Sequence, residues 1–204
     1  MPTADYLYNL ELVRAYHSTN KTSAGKDSRK YVPQIQQLMR SHSARTVLDY
    51  GSGKGLQYRL PGYSYRLPSG LQSPQNTLDR HIGAESVRLY DPGVPGIDQL
   101  PGADYRCDAI ICTQVLGAIA DQDLAWVQDL WATWATKFVF IGMSSLEHTA
   151  KPSKLSNLRG FLAERTVDWY LDQFAAWRGP SLYWYWDQTD HAVNSWYANR
   201  LAND

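Results

Sequence analysis

Four short runs rich in apolar residues constrain the fold of this chain more than any other feature of its sequence. They cover residues 46–50, 86–91, 108–113 and 137–142, and polar, glycine or proline residues bound each of them. Runs of this length are typical of parallel strands that are buried on both faces of a sheet. Because parallel strands are joined by crossover connections, usually helices, the runs predict an α/β domain with a mostly parallel sheet.

Amphipathic segments around these runs predict the helices that pack on the sheet. Three segments carry apolar side chains at helical spacing: residues 31–42, 121–136 and 166–177. Thr166 is placed to cap the third of them. We therefore expect one domain over residues 1–204, a three-layer sandwich in which residues 1–43 form a helical or lid segment.

Both edges of the sheet are expected to differ from those of a regular parallel α/β sheet. Only 16 residues separate Asp91 from Asp108, too few for a further strand and its helix. We predict a trimmed third-strand edge, with residues 93–105 as a loop. Near the C-terminus, the aromatic-rich runs 181–187 and 192–199 are separated by a short polar segment, which predicts a hairpin of antiparallel strands at one edge.

The first predicted strand leads directly into a glycine loop, residues 51–55, and we expect a helix to follow. Glycine allows positive φ and close approach of a ligand, and a helix N-terminus offers free N–H groups. A dinucleotide fingerprint places its last glycine three positions after the second, where this chain has Leu56. A P-loop needs Ser or Thr after its lysine, but Gly55 follows Lys54. Both phosphate-binding motifs are therefore disfavoured.

The pattern Asp49-x-Gly51-x-Gly53-x-Gly55 at the end of a strand resembles motif I of class I S-adenosylmethionine-dependent methyltransferases. Longer stretches are similar to methyltransferase-like proteins of phages and bacteria: residues 48–55, 89–95, 112–116 and 137–140. The resemblance implies a Rossmann-like fold, S-adenosylmethionine as cofactor and methyl transfer as the reaction.

The resemblance also implies which residues hold the cofactor. In the family, the glycine loop wraps the methionine and sugar parts, and a carboxylate that ends the second strand binds the ribose hydroxyls. Asp91 occupies that position here, and a carboxylate can accept two hydrogen bonds from a vicinal diol. The implied cofactor-binding residues are Asp49, Tyr50, Gly51, Ser52, Gly53, Gly55, Asp91, Pro92, Thr113, Gln114 and Val115.

One departure from the family keeps two other functions open. Many members follow the Val-Leu pair with Glu-His, where this chain has Gly117-Ala118, so chemistry that depends on that pair is absent. The alternatives are a different enzyme that uses S-adenosylmethionine, by cleavage or aminopropyl transfer, and a catalytically silent binding protein. The methyl acceptor, a small molecule or a macromolecule, is not identified by any motif.

The acceptor side is expected where two polar segments meet the sheet. Ligands of open parallel sheets bind beyond the carboxyl ends of the strands, and the long connection 143–165 leaves from that edge. We predict that Ser144, Ser145, His148 and Arg165 border the acceptor, and that His17, in the polar segment 16–28, is its catalytic base. The alternative is that both segments are solvated connectors, with His17 an ordinary surface histidine.

Charge and composition exclude several partners. The 20 basic and 20 acidic residues balance, so no strong nucleic-acid signature is present. No apolar run approaches the roughly 20 residues of a membrane span, and residues 1–12 do not resemble a signal peptide. We expect a cytoplasmic protein without a membrane partner.

The two cysteines, Cys107 and Cys112, fall within one predicted strand. Their odd spacing predicts that they lie on opposite faces of the sheet and form no disulfide. Because the chain has no CxxC pair or cluster of His and Cys, no metal site is predicted.

Overall fold

The protein has an α/β fold built around one six-stranded sheet. The computed structural model describes residues 1–19, 26–67, 69–144, 157, 159–160, 165–187 and 195–199. The strands are β1 (Thr46–Tyr50), β2 (Ser86–Tyr90), β3 (Cys107–Thr113), β4 (Ala135–Ser144), β5 (Ser181–Asp187) and β6 (Ser195–Asn199). The helices are α1 (Ala4–Thr19), α2 (Val32–Ser41), α3 (Leu78–Ile82), α4 (Leu124–Trp134) and α5 (Val167–Gln173).

Five neighbouring strands of the sheet run parallel. The order across the sheet is β2-β1-β3-β4-β5-β6, and each neighbouring pair from β2 to β5 is parallel. The four parallel strands expected from the apolar runs are confirmed, and a parallel sheet flanked by helices is consistent with a Rossmann-like fold. β6 pairs antiparallel with β5, while residues 188–194, which include the turn of the predicted hairpin, lie outside the described residues.

The three predicted helices are present as α2, α4 and α5, each shorter than its amphipathic segment. A 3-10 turn, Asp121–Asp123, precedes α4. Thr166 caps α5 as predicted, because its Oγ1 accepts a hydrogen bond from the Trp169 N–H group. Across the described parts of the chain, none of the helices combines the length and apolar content needed to cross a membrane.

Alternate side chains of the strands pack on opposite faces of the sheet. Val47 and Phe138 lie on the face covered by α2 and α3. Their neighbours Leu48 and Val139 lie on the face covered by α4 and α5, where Trp131 is fully buried. The sheet is therefore the middle layer of three.

The prediction that the two cysteines lie on opposite faces is wrong. Cys107 and Cys112 both pack in the core on the α4 face, and both are free thiols. The pairing of β3 with β4 shifts register between Cys107 and Ala109. This irregularity breaks the two-residue alternation at the start of β3, so odd spacing no longer separates the two side chains.

The connection between β2 and β3 contains no helix or strand over residues 91–106. β2 is therefore the last strand on its side of the sheet. This matches the loop expected from the short separation between Asp91 and Asp108.

Asp108 joins three strands at the amino edge of the sheet. Its Oδ2 accepts hydrogen bonds from the N–H groups of Arg45 and Thr46, at 2.7 and 3.1 Å. Its Oδ1 lies 3.0 Å from Nζ of Lys137 in β4. Burial raises the pKa of this carboxyl, but the two N–H groups and Lys137 outweigh that effect and hold the pKa below its ordinary value.

Replacing Asp108 with Asn should lower the free energy of unfolding at pH 7 by about 1 to 3 kcal/mol, because charge-assisted hydrogen bonds are lost. The folded-state pKa lies below the unfolded value of about 3.9, so this contribution is present above that pH and disappears as pH falls through the folded-state pKa. Urea unfolding from pH 7 to pH 3 measures both effects. Asp129→Asn, on the exposed side of α4, is the control, and an equal loss in both variants would contradict the assignment.

Candidate functional site

The glycine loop lies at the carboxyl end of β1, where the strand order changes direction. β1 pairs with β2 on one side and with β3 on the other. In open α/β sheets the crevice at such a switch point is where ligands bind. The loop 51–55 therefore occupies the position in this fold most suited to a ligand.

All three loop glycines adopt left-handed backbone conformations. The φ values of Gly51, Gly53 and Gly55 are 83°, 56° and 64°. A Cβ atom at Gly51 would lie 2.2 Å from Cγ2 of Val115, and one at Gly55 would lie 2.4 Å from Cδ1 of Leu89. Both backbone conformation and packing therefore require glycine at these two positions.

Hydrogen bonds close the loop onto the end of β2. The N–H groups of Gly51 and Ser52 both donate to the carbonyl oxygen of Tyr90, at 2.7 and 3.1 Å. The N–H group of Gly53 donates to Oδ2 of Asp91, at 2.8 Å. A phosphate-binding loop presents such N–H groups to its ligand, whereas here protein atoms accept them. The structure thus disfavours phosphate at this loop on grounds independent of glycine spacing.

The helix expected directly after the glycine loop is absent. A single 3-10 turn, Leu56–Tyr58, follows the loop. The described residues between that turn and α3 form only isolated strand pairs, Tyr63 with Asn76 and Arg66 with Gln72. Pro61 provides the physical reason, because the residue before a proline is disfavoured in helical conformation. In the described part of the chain, no α-helix begins directly after the loop, so the free N–H groups of a helix N-terminus anticipated there are missing.

Asp49 and Tyr50 point into the protein on opposite faces of β1. The Asp49 carboxylate accepts hydrogen bonds from the Tyr58 hydroxyl at 2.8 Å and from Nε2 of Gln57 at 3.4 Å. Burial raises the pKa of Asp49 to about 7 despite these hydrogen bonds. The Tyr50 ring packs against Trp131. Asp49 thus holds the 3-10 turn that follows the loop against β1, and Tyr50 anchors the end of β1 in the core.

Asp91 links β2, the glycine loop and α1. Besides the bond from Gly53, its Oδ1 accepts a hydrogen bond from the Gly93 N–H group at 2.9 Å. Nε2 of His17 lies 3.6 Å from Oδ1, and the side chains of His17 and Asp91 are 12% and 7% exposed. Nδ1 of His17 is buried and has no hydrogen-bond partner among the described residues. The fold thus places His17 beside Asp91, the carboxylate that the methyltransferase resemblance assigns to the cofactor.

The segment after β3 completes the floor of the site. Gln114 is one of two non-glycine residues with positive φ in the described chain, at 59°. Its N–H group donates to the carbonyl oxygen of Gly142 at 2.8 Å, and its side-chain amide donates to the hydroxyl of Tyr31. Unusual backbone conformations of this kind concentrate at functional sites. Val115 packs directly beneath Gly51.

Arg165 has contacts that explain its burial. Its guanidinium donates to the carbonyl oxygens of Leu116 and Ile119, at 3.1 and 2.8 Å. It also bonds the carboxylate of Asp121 and the hydroxyl of Tyr170. These contacts tie the segment before α5 to the segment after β3, so the position of Arg165 is structural, and its contact with an acceptor stays a prediction.

The remaining acceptor-side predictions fall largely outside the described chain. Ser144 is the last residue of β4, and its side chain is not described. Ser145 and His148 lie outside the described residues.

Two tyrosines that sequence reasoning did not single out support the site. Tyr31 joins α2 to Gln114, and Tyr58 binds Asp49. Tyr58 lies in the Pro/Gly-rich segment, and no local pattern connects it with the first strand. Tyr31 directly precedes the apolar positions of α2. That pattern predicts that the Tyr31 ring is buried, but it does not indicate a hydrogen bond of its hydroxyl.

Comparison of the chain with family models, curated proteins and solved structures finds no significant match.

Replacing Gly51 with Ala should lower the free energy of unfolding by about 2 to 4 kcal/mol, from backbone strain and the clash with Val115. Gly62→Ala is the matched control, because a Cβ atom there meets nothing within 4 Å. Thermal or urea unfolding compares the two variants. A Gly51→Ala protein as stable as Gly62→Ala would refute the packing described for the loop.

Proposed function

We propose that the protein binds S-adenosylmethionine at the carboxyl edge of the sheet and transfers its methyl group to an acceptor. The observation that carries the proposal is the position of Asp91: this carboxylate ends β2 and is fixed beside the glycine loop by the Gly53 N–H group. The position is the one that the methyltransferase resemblance assigns to ribose binding. The cofactor would supply a methyl group activated by attachment to a sulfonium.

The polar atoms around Asp91 fit the ribose of this cofactor. A carboxylate has about four acceptor positions, and the N–H groups of Gly53 and Gly93 occupy two of them. The other two match the hydroxyls of a vicinal diol. Because the N–H groups at 51–53 donate within the protein, the loop suits contact with an uncharged or cationic ligand better than with a phosphate.

His17 is the residue that we assign to proton removal from the acceptor. At 3.6 Å, the contact of Nε2 with Asp91 is longer than a hydrogen bond, yet close enough for the carboxylate to orient the ring electrostatically. Nδ1 is buried without a partner among the described residues, and it is the nitrogen that we assign to the acceptor's proton once the His17 end of α1 shifts. Methyl transfer otherwise requires alignment and exclusion of water rather than a catalytic triad.

Helix α1 serves as the cover of this site. Its start is anchored, since Thr3 donates two hydrogen bonds to Asp123 at 2.9 and 2.7 Å. Near its end, Val13 and His17 pack so closely on Gly93 that an added Cβ would lie 2.6 and 2.8 Å from them. Because this contact buries Asp91, a ribose reaches the carboxylate when the His17 end of α1 shifts. Return of the helix would exclude water.

A catalytically silent binding protein is the second candidate. Gly117 and Ala118 lie in a 3-10 turn, Leu116–Ala118, just beyond the end of β3. They provide no polar side chain at this edge. Binding without turnover to S-adenosylhomocysteine would favour this candidate.

Replacing Asp91 with Asn should weaken S-adenosylmethionine binding by about 1.5 to 3 kcal/mol, because charge-assisted hydrogen bonds to the ribose are lost. Isothermal titration calorimetry measures the change, and NAD serves as a comparison ligand. Asp104→Asn, exposed in the same connection, should leave the affinity unchanged. Tighter binding of NAD, or equal effects of the two substitutions, would overturn the cofactor assignment.

Replacing His17 with Ala should leave cofactor affinity within about 0.5 kcal/mol and lower methyl transfer at least tenfold, since the ring is assigned to the acceptor's proton. Turnover is measured as S-adenosylhomocysteine formed, or as isotopic methyl label transferred, with cell extract as the source of acceptor. Thr19→Ala, exposed on the same helix, is the control. Full turnover in the His17 variant would remove this residue from the mechanism.

A further inference from the structure

A cavity of about 380 Å³ with a basic wall lies apart from the glycine loop. Three cationic side chains line it, Arg29, Lys30 and Arg66, and none of the described residues that line it is acidic. This volume is within the range of small-molecule binding sites. We refer to it as the basic pocket.

The basic pocket is on the α2 face, toward the carboxyl edge of the sheet. Tyr185, one of its lining residues, pairs with Gly142 in β4, and Gly142 pairs with Thr113 in β3. The Tyr31 ring packs against Gly142 and Tyr185, and its hydroxyl accepts the hydrogen bond from Gln114. The wall of the pocket is thus joined by direct contacts to the floor of the glycine-loop site.

Two of the cationic groups at the pocket pack against aromatic rings. The Arg29 guanidinium lies 4.9 Å from the centre of the Tyr63 ring, and Nζ of Lys30 lies 5.0 Å from that of Tyr31. The Arg66 side chain is exposed, and its Nε donates to the carbonyl oxygen of Gly70 at 3.4 Å. The ring contacts of Arg29 and Lys30 restrict those two side chains before a ligand arrives, which lowers the ordering cost of binding.

No carboxylate neutralises the two arginines among the described residues. Nε of Arg29 is buried there without a hydrogen-bond partner, and the described polar contact of Arg66 is to a backbone carbonyl. Two guanidinium groups at one cavity attract an anion, and arginine matches the geometry of phosphate.

We propose that the basic pocket binds the phosphate group of a small phosphate monoester, such as a sugar or nucleoside phosphate. The two guanidinium groups match the double charge and several acceptor oxygens of a monoester. The cavity volume leaves room for the organic part beside the phosphate. A cavity of this limited volume on a chain without net charge favours a small ligand over a nucleic acid, which is bound mainly by extended positive surface.

The pocket also suggests the class of the methyl acceptor. Tyr185 and Thr113 are separated by two strand spacings, roughly 10 Å, so a ligand held by its phosphate could extend along the edge toward the glycine loop. The identification of this phosphate ester as the acceptor rests on the proposed methyl transfer, whereas the phosphate site itself does not.

The test measures binding without S-adenosylmethionine, using ribose 5-phosphate as the probe and ribose as the analogue without phosphate. Calorimetry should show binding of the phosphate ester, weakened about tenfold or more in Arg66→Gln, the loss expected for a charge-assisted contact. Arg66→Lys should recover part of the affinity. Arg178→Gln, an exposed arginine before β5, should change it less than about twofold.

Each outcome bears on one claim. Loss in Arg66→Gln with retention in Arg178→Gln supports the pocket, even if S-adenosylmethionine fails to bind. Equal binding of ribose and its phosphate, or equal effects of the two arginine substitutions, overturns the pocket. Citrate bound as tightly as ribose 5-phosphate overturns the choice of phosphate, and a thymidine oligonucleotide bound more tightly overturns the choice of a small ligand.

Discussion

The closure of the glycine loop onto the end of β2 is the constraint on which the rest of the site depends. Tyr90 and Asp91 accept the N–H groups of three consecutive loop residues. The loop is therefore fixed by the protein itself, with its backbone donors directed toward β2. The same carboxylate brings α1 to the loop through His17. Asp91 thus contacts the loop and α1 from the end of β2.

The strands and helices follow from patterns that local sequence carries. Buried strands such as β1 and β4 are recognisable because both faces of each are covered by helices, which selects apolar residues without alternation. The stripe on α4 is recognisable because its tryptophans recur at helical spacing. Each of these apolar patterns lies within a short stretch of sequence, so it can be recognised without knowledge of tertiary contacts.

The parts that sequence patterns missed depend on contacts between distant segments. The register shift beside Cys107 arises from pairing with β4, and the positive φ of Gln114 has no counterpart in residue type. The approach of His17 to Asp91 joins segments far apart in the chain. The missing helix after the glycine loop is different, because Pro61 is a local signal that the expectation of a strand-loop-helix unit overrode.

The short connection between β2 and β3 has a consequence for association between molecules. It leaves β2 as an edge strand, because none of the described strands pairs with its outer side. The unpaired backbone groups of an edge strand can pair with a strand of another chain. Arg88 projects from this strand with its guanidinium 4.8 Å from the centre of the Tyr105 ring in the connection. A fixed positive charge on an edge opposes the approach of a second strand. Arg88 thus opposes edge-to-edge aggregation at β2, the edge that the short connection leaves without a further strand.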